Sequence, residues 1–205
     1  SLMLSIFSRM DGATIRDVRV ENYSMSISST FLASSNIQSA VFASQVTGTN
    51  NIFENIRLSN INLISNSLNG TAALVAQVEA NADLSIKNIK VSSLTAISSS
   101  KRAGGLISRV LRGTGTIIIE DVEVQGFIAA GNATSNTGGI IGTLQDVVCT
   151  IDRAVVEYTA EGTITLTDGS ITYKSNKYVG GFVGNAKSTN FTISNSFYTG
   201  KLYTV

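Results

Sequence analysis

The amino-acid sequence predicts an all-β protein: a right-handed parallel β-helix, or solenoid, of about six coils with three short strands in each coil. Three observations predict this fold. A five-residue opening motif recurs six times at intervals of 32 to 42 residues, and a second motif follows each copy in step. The intervening stretches alternate apolar and polar residues with period two, and clusters of Gly, Asn and Ser separate them. The right hand is that of nearly all parallel crossovers.

The opening motif predicts the first strand of each coil. Its copies span residues 4–8, 39–43, 72–76, 104–108, 138–142 and 180–184. We expect one large apolar residue of each copy to point inward: Ile6, Val41, Leu74, Leu106, Ile140 and Phe182. Two residues further on lies a column of small side chains: Ser8, Ala43, Ala76, Ser108, Gly142 and Gly184. Alternating large and small layers let a narrow interior close at native packing density.

The second motif predicts a corner, and a third strand follows it. Its copies span residues 15–18, 53–56, 86–89, 119–122, 151–154 and 193–196, and their apolar spacing of i, i+3 and i+5 breaks the period of two. Residues that tolerate the left-handed backbone region occupy the expected corner: Asp17, Asn55, Asn88, Asp121 and Asn195. Arg153 takes this place in the fifth unit, where we expect an irregular corner. Third strands are expected at residues 23–27, 61–64, 94–97, 127–130 and 163–167.

Residues 1–205 are expected to form a single solenoid segment, because the two motifs stay in step from one end of the sequence to the other. The sequence starts without an initiator Met and ends in a strand-like stretch, so we expect a fragment of a longer repeat protein. Flanking coils or caps would then cover the open strand edges.

In the last unit, residues 180–184 read Gly-Gly-Phe-Val-Gly, and residues 193–202 continue as Ile-Ser-Asn-Ser-Phe-Tyr-Thr-Gly-Lys-Leu. This unit resembles the GLUG motif. Residues 138–142 match the opening as well, whereas Ser and Ala replace Gly in the first three units. The resemblance implies a β-helical repeat in a large secreted or surface-displayed, adhesin-like protein. It implies no catalytic residue.

The composition excludes several classes of function. The sequence contains no His, which excludes imidazole-based catalytic triads and His-bearing zinc sites. The single Cys, Cys149, excludes an internal disulfide and any Cys-x-x-Cys pair. A net charge of +1 gives no basic field for nucleic acid or an anionic membrane, and no apolar stretch is long enough for a membrane helix. We expect no cofactor, no bound metal, no nucleic acid and no membrane insertion in this segment.

Parallel β-helices include polysaccharide-degrading enzymes, so neighbouring carboxylates on the outer surface are candidate catalytic groups. Stacked coils place Glu120 and Asp152 in one outward column, roughly 5 Å apart, which suits the carboxyl pair of a retaining glycosidase. The full column comprises Arg16, Glu54, Lys87, Glu120, Asp152 and Ser194. Because its first four members alternate in charge, we favour a cross-strand ion-pair ladder over a catalytic pair.

An apolar column is expected to point outward from the first strand, beside small neighbours. This candidate docking stripe comprises Phe7, Phe42, Val75, Ile107, Ile141 and Val183. A continuous stripe over six coils exceeds what scattered surface residues give. It predicts either side chains stacked along the axis under loops, or a flat face for another domain, a filament or a glycan layer.

The unit interval widens to 42 residues only between the fifth and sixth openings, and the excess lies in residues 168–178. Solenoids place length variation in loops, and such loops often carry binding. Aromatic and cationic side chains make this loop a candidate interaction site: Tyr173, Lys174, Lys177 and Tyr178. The alternative is a tolerated surface insertion.

Two of the four glycosylation sequons, at Asn69 and Asn132, fall in predicted turns between coils and are candidate glycosylation sites.

We expect a non-enzymatic structural or adhesive segment of a large extracellular or cell-surface protein, acting as a rigid spacer and interaction surface. Its expected partners are other chains or domains of the same assembly, or glycans. The alternative function is a carbohydrate-active β-helix enzyme, either a polysaccharide lyase or a glycoside hydrolase.

Overall fold

Three parallel sheets run through the structure, a computed structural model that describes residues 2–27, 37–65, 70–98, 102–130, 136–159, 161–166, 169–174, 178–187 and 190–202. Within these residues the regular secondary structure is strand, with no helix. Each coil contributes to sheet A, then to sheet B, then to sheet C, and the strands in each sheet follow the order of the coils.

The strands of the three sheets have the following bounds. Sheet A contains β1 (Leu2–Leu4), β4 (Ile37–Ala40), β7 (Gly70–Ala72), β10 (Arg102–Gly104), β13 (Asn136–Gly138) and β18 (Tyr178–Gly180). Sheet B contains β2 (Phe7–Asp11), β5 (Ala43–Thr47), β8 (Val75–Val78), β11 (Ile107–Val110), β14 (Ile141–Gln145) and β19 (Val183–Lys187). Sheet C contains β3 (Thr14–Ile27), β6 (Asn51–Ser65), β9 (Leu84–Ser98), β12 (Thr116–Ala130), β15 (Val148–Thr159), β20 (Asn190–Ser194) and β21 (Phe197–Lys201).

All strand pairs within these sheets are parallel and join neighbouring coils. The sheet C register, for example, links Ile56 to Ile89 and Ile89 to Val122. The predicted parallel β-helix of about six coils is therefore confirmed. One strand in each of the first five coils is longer than predicted, because β3, β6, β9 and β12 span 14 or 15 residues and β15 spans 12. In the sixth coil, β20 and β21 are separate strands of five residues.

The predicted corner of the second motif is a bend inside these long strands. Its residues all have positive φ, between 48° and 57°: Asp17, Asn55, Asn88, Asp121, Arg153 and Asn195. Strand pairing resumes directly after the bend, so the second and third predicted strands merge into one. The expectation of an irregular corner at Arg153 is wrong, since its φ of 51° matches that of its neighbours in the stack.

The opening motif is a second bend, and the docking stripe predicted from it is wrong. The chain turns at Val41–Phe42 and at the equivalent residues of the other coils, between sheet A and sheet B. Residues on both sides of such a turn face the interior, so Leu106 and Ile107 are both fully buried. Of the predicted stripe, Phe42, Val75, Ile107 and Ile141 are at most 1% exposed, Val183 is partly buried, and Phe7 is exposed in the first coil.

The second coil is also offset by one residue from the alignment that the sequence suggests. The register pairs Phe7 with Ala43 and Ala43 with Val75. Phe42 therefore belongs to the column of Leu74, whose carbonyl accepts the hydrogen bond from Ala43 N at 3.0 Å. The small residue of this coil is Ser44 in place of Ala43.

Aliphatic side chains from all three sheets fill the interior of the central coils. Aromatic rings pack among them: Phe42 lies 5.9 Å from Phe53, and Phe127 stacks on Tyr158 at 5.0 Å between ring centroids. The hydroxyl of Tyr158 donates a hydrogen bond to Thr137 Oγ1 at 2.6 Å, so its polar atom is satisfied inside the core.

The extra residues of the fifth coil form a hairpin. Strands β16 (Glu161–Leu166) and β17 (Gly169–Lys174) pair antiparallel with each other, outside the three sheets. The prediction of a third sheet strand at residues 163–167 is therefore wrong, because β15 ends at Thr159 and this segment turns back on itself. A solenoid keeps its stacking register by moving surplus chain out of the coil.

Glycine pairs make the bend between sheets A and B tight in the later coils. A Cβ added to Gly138 would lie 2.1 Å from the carbonyl oxygen of Ile141 and 2.5 Å from the amide nitrogen of Gly184. Both contacts are with backbone, which cannot rotate away as a side chain can. The opening motif therefore needs glycine here to let one coil close against the next.

We expect the Gly138→Ala variant to lose about 2 kcal/mol of unfolding free energy, because the added methyl group forces the backbone of the bend apart. Urea unfolding followed by circular dichroism measures this loss. The control is Ser24→Ala on the exposed face of β3, which should change stability by less than about 0.5 kcal/mol. Equal stability of Gly138→Ala and the parent would contradict the steric argument.

Candidate functional site

The residues of the outward column predicted on sheet C pair with one another in the parallel register. Arg16 pairs with Glu54, Glu54 with Lys87, and Lys87 with Glu120. Its ion pairing is less regular than an alternating ladder. Lys87 Nζ lies 3.8 Å from Glu120 Oε2, whereas Arg16 Nε lies 3.9 Å from Asp17, the next residue along its own strand.

The bend residues beside this column form a ladder of amide hydrogen bonds. Asn55 Nδ2 donates to Asp17 Oδ1 at 3.0 Å, and Asn88 Nδ2 donates to Asn55 Oδ1 at 2.7 Å. Asn55 thus donates to the preceding coil and accepts from the following one. Asp121 cannot continue the pattern because a carboxylate has no proton to donate, and Asn88 Oδ1 accepts from Arg57 Nη2 at 3.2 Å.

Where the amide hydrogen bonds stop at Asp121, Arg153 joins the coils through a cluster of charged groups. Its Nε and Nη2 bind the two oxygens of Asp121 at 2.5 and 3.1 Å, while Nη1 binds Asp152 in its own coil. Nη2 also lies 3.9 Å from Glu120. Ser194 Oγ and Asn195 Nδ2 then donate to Asp152 Oδ1 at 2.7 and 2.8 Å. The cluster ties the last three coils together along one edge.

These contacts hold both aspartates in the charged form. The hydrogen bond from Arg153 lowers the pKa of Asp121 below its ordinary value of 3.8. Hydrogen bonds from Ser194 and Asn195 lower the pKa of Asp152, and the charge of Arg153 adds to them. A general acid in glycoside hydrolysis must instead hold a proton near neutral pH. The cluster therefore has the chemistry of a clamp between coils.

The Glu120 and Asp152 pair is adjacent as the sequence predicts, since the two residues are in register on neighbouring coils. Arg153 contacts both carboxylates, with Nη1 bound to Asp152 and Nη2 3.9 Å from Glu120. The sequence shows Arg153 only as a departure from the Asn and Asp column. Its role as a counterion depends on the register, which brings three acidic side chains around it.

The predicted interaction loop is divided between two elements. Tyr173 and Lys174 lie on β17, opposite Gly162 and Glu161 in the hairpin register. Tyr178 is the first residue of β18 in sheet A, and its side chain is 46% exposed. Lys177, together with the sequon residues Asn69 and Asn132, lies outside the described residues.

Exposed large apolar side chains mark both end coils. In the first coil, Ile6 and Phe7 are 50% and 45% exposed. In the last coil, Phe197 is 62% and Ile193 is 40% exposed. These side chains lie where only one neighbouring coil covers them. The sequence predicts exposed apolar surface along one side of the rod, whereas the largest exposed fractions of apolar side chains in the described residues occur at its ends.

Two open pockets lie at the turn between sheets B and C. The first has a volume of about 280 Å³ and includes Asn50, Asp83 and Ile118 in its lining, and the second, of about 240 Å³, includes Asp146 and Val148. Their carboxylates already have partners: Thr116 N donates to Asp83 Oδ1 at 2.8 Å, and Arg112 Nε lies 3.0 Å from Asp146 Oδ2. The surface of both pockets is mainly apolar, and neither carboxylate is unpaired.

Comparison of the chain with protein-family models, curated proteins and solved structures gives no match. The resemblance to the GLUG motif therefore stays a prediction. In the part of the chain that the structure describes, no helix is long and apolar enough to cross a membrane. The same residues contain no group of three or more acidic or Cys side chains arranged to hold a metal ion.

We expect the Arg153→Gln variant to raise the pKa of Asp121 more than that of Asp152, because Asp152 keeps its hydrogen bonds from Ser194 and Asn195. In the parent, the folded pKa of Asp121 lies below its unfolded value near 3.8. Its stabilisation is thus fully present above that pH and is lost as the pH falls toward the folded pKa. The variant should show a smaller loss of stability over that range.

Carboxyl carbon chemical shifts followed by NMR against pH measure both pKa values, and urea unfolding at each pH measures stability. Arg19→Gln is the matched control, since Arg19 is exposed and pairs with Glu21 on β3, at the other end of the stack. An unchanged pKa of Asp121 in Arg153→Gln would show that the clamp does not act as described.

Proposed function

We propose that the protein is a non-enzymatic structural and adhesive segment of an extracellular or cell-surface protein, acting as a rigid spacer that also offers an interaction surface. The observation that carries this proposal is the parallel strand pairing of three sheets, which continues across all six coils. A stack of six coils spans roughly 29 Å at about 4.8 Å per coil.

Rigidity follows from the continuity of the hydrogen bonding. Consecutive coils are joined in sheets A, B and C at once, and the buried apolar cluster extends from Met10 in the first coil to Tyr158 in the fifth. The ladder at Asn55 and the clamp at Arg153 add side-chain links along one edge. Bending such a rod would break several contacts at once, which suits a spacer.

The state of the single cysteine supports an extracellular setting. Cys149 is 1% exposed, and burial raises the pKa of its thiol to about 12. A buried, protonated thiol does not react readily with oxidants or other thiols. The fold is therefore compatible with an oxidising environment without forming a disulfide.

The interaction surface that we propose has two parts. The end coils present exposed apolar side chains, among them Phe7 and Phe197, which other chains or domains of the same assembly would cover. The hairpin β16–β17, which lies outside the three sheets, and the exposed side chain of Tyr178 supply a contact segment. Asn69 and Asn132 stay candidates for glycosylation in such a setting.

The alternative, a carbohydrate-active β-helix enzyme, would place its chemistry at Glu120 and Asp152. The lowered pKa of Asp152 and the position of Arg153 between the two carboxylates support the structural role instead.

Replacing residues 161–174 with a short Gly-Asn turn tests the interaction surface. We expect the stack to stay folded, because none of the three sheets loses a strand, and we expect association or adhesion to fall. Light scattering and a surface-binding assay measure association, and far-UV circular dichroism reports the fold. The matched control changes only residues 167–168, which join the two strands of the hairpin. Unchanged association after the full replacement would remove the hairpin from the proposal.

Incubation with a panel of acidic and neutral polysaccharides tests the enzymatic alternative. We expect no release of reducing sugar or unsaturated product above the level of a heat-denatured sample. Product release by the parent that is lost in Glu120→Gln and retained in Glu54→Gln, in the same column, would replace the structural proposal with the enzymatic one.

A further inference from the structure

Two arginines stand on facing strands beside the bend between sheets A and B. Arg102 begins β10, and Arg109 lies in β11 after the turn. One coil further on, the register places Asn136 next to Arg102 and Thr143 next to Arg109. Asn136 Nδ2 donates to Thr143 Oγ1 at 2.9 Å, so the side chains at these two positions meet across the bend. The guanidinium groups occupy the same facing positions in the fourth coil.

The guanidinium groups contain buried donors without acceptors. Arg102 Nε and Nη1 and Arg109 Nε are shielded from solvent and have no hydrogen-bond partner. Burial lowers the pKa of Arg102 to about 10, and the positive charge of Arg109 adds to the effect. Both groups stay charged at neutral pH. Leaving a buried charged donor unpaired is unfavourable, so an anionic acceptor would stabilise these groups.

The chain itself supplies little compensating charge. Glu79 is the acid that acts on Arg109. Its Oε1 accepts hydrogen bonds from Gln45 Nε2 at 3.0 Å and Gln77 Nε2 at 2.5 Å. Among the described residues, neither arginine forms a salt bridge within 4 Å. The carboxylate that acts on Arg109 is therefore already engaged by two glutamine side chains.

Amide oxygens flank the arginine pair on both sides. Gln77 is the sheet B neighbour of Arg109 in the third coil, and Asn136 is the sheet A neighbour of Arg102 in the fifth. Their side chains are 7% and 9% exposed, and Gln77 Oε1 and Asn136 Oδ1 both lack a donor. Unpaired cationic donors and unpaired neutral acceptors thus lie side by side over three coils.

The backbone packs tightly beside Arg102. Its neighbour in the third coil is Gly70, where an added Cβ would lie 2.0 Å from Ser108 Oγ and 2.4 Å from the carbonyl oxygen of Arg102. This position therefore requires glycine. Both arginines are partly exposed, so a ligand can reach them from solvent.

We propose that Arg102 and Arg109, flanked by Gln77 and Asn136, form a binding site for a small oxyanion that also carries hydroxyl groups. The anionic oxygens accept hydrogen bonds from the guanidinium nitrogens, in the geometry that arginine offers to carboxylate and phosphate. The hydroxyl groups donate to the two amide oxygens. Sugar acids and hydrogen phosphate share this chemistry. The site goes beyond the proposed structural role and does not depend on it.

NMR on the uniformly ¹⁵N-labelled chain tests the site through the arginine Nε–H resonances. Sodium glucuronate and inorganic phosphate are titrated at neutral pH against sodium chloride of equal ionic strength. The Arg102→Gln and Arg109→Gln spectra assign the two resonances by their disappearance. We expect saturable shifts of both resonances, with a dissociation constant in the millimolar range or tighter, and at least a tenfold weaker response in either variant. Arg112→Gln, which changes an exposed arginine of the same coil, should bind like the parent.

Saturation by glucuronate alone would assign the site to sugar acids, and saturation by phosphate alone would assign it to phosphate. Sodium sulfate, which has no hydroxyl proton at neutral pH, should bind at least tenfold more weakly than the better of the two. Equal binding of sulfate would contradict the role of Gln77 and Asn136. Linear shifts that match those in chloride would overturn the site, and this outcome is read from the parent protein whether or not the variants fold.

Discussion

The parallel register between consecutive coils is the constraint on which the rest of the structure depends. Each side chain sits directly above the equivalent residue of one coil and below that of the next, so a column shares one environment along the whole axis. A single inserted residue would shift everything after it by one position. The structure meets this constraint by expelling surplus chain, as the hairpin β16–β17 shows between the fifth and sixth coils. It also absorbs a shift between Val124 and Phe127, where β12 carries one residue more than β15.

Polar groups at the bends satisfy the same constraint in a different way. An asparagine can both donate and accept, so a column of asparagines can extend from coil to coil without a break, as at Asn55 and Asn88. An aspartate can only accept, which suits the start of a ladder at Asp17 and interrupts one at Asp121. The interruption is repaired by a cation, Arg153, at the next position. The columns that contain Arg102 and Arg109 differ from this one. No acidic residue lies in register with either arginine on a neighbouring coil.

Much of the fold can be predicted from the sequence because the same local pattern, which is weak in any one coil, occurs in six copies. The six motif pairs predict the stack, and the Asn and Asp column predicts the bend in sheet C with its positive φ. The direction of Phe42 and Val75 could not be predicted from alternation, since a bend between two residues lets consecutive side chains face the interior together. Residues 163–167 have a strand-like sequence, but sequence alone cannot distinguish pairing within a hairpin from pairing with a neighbouring coil. The arginine pair was missed as well, although two arginines that flank a Gly-Gly bend interrupt columns otherwise made of uncharged residues in the central coils.

The nearly constant length of the coils has a consequence for how the chain folds and opens. Residues that pair in sheet C, such as Val18 with Ile56 or Ile56 with Ile89, are separated by about one coil wherever they lie. The entropy lost in closing a loop depends on the logarithm of its length, so adding a coil costs about the same at every point of the array. Folding can therefore start at any adjacent pair of coils and proceed by adding neighbouring coils one at a time. In the 205-residue chain taken alone, the first and last coils are each held by one neighbour, so we expect their amide hydrogens to exchange with solvent before those of the third and fourth coils.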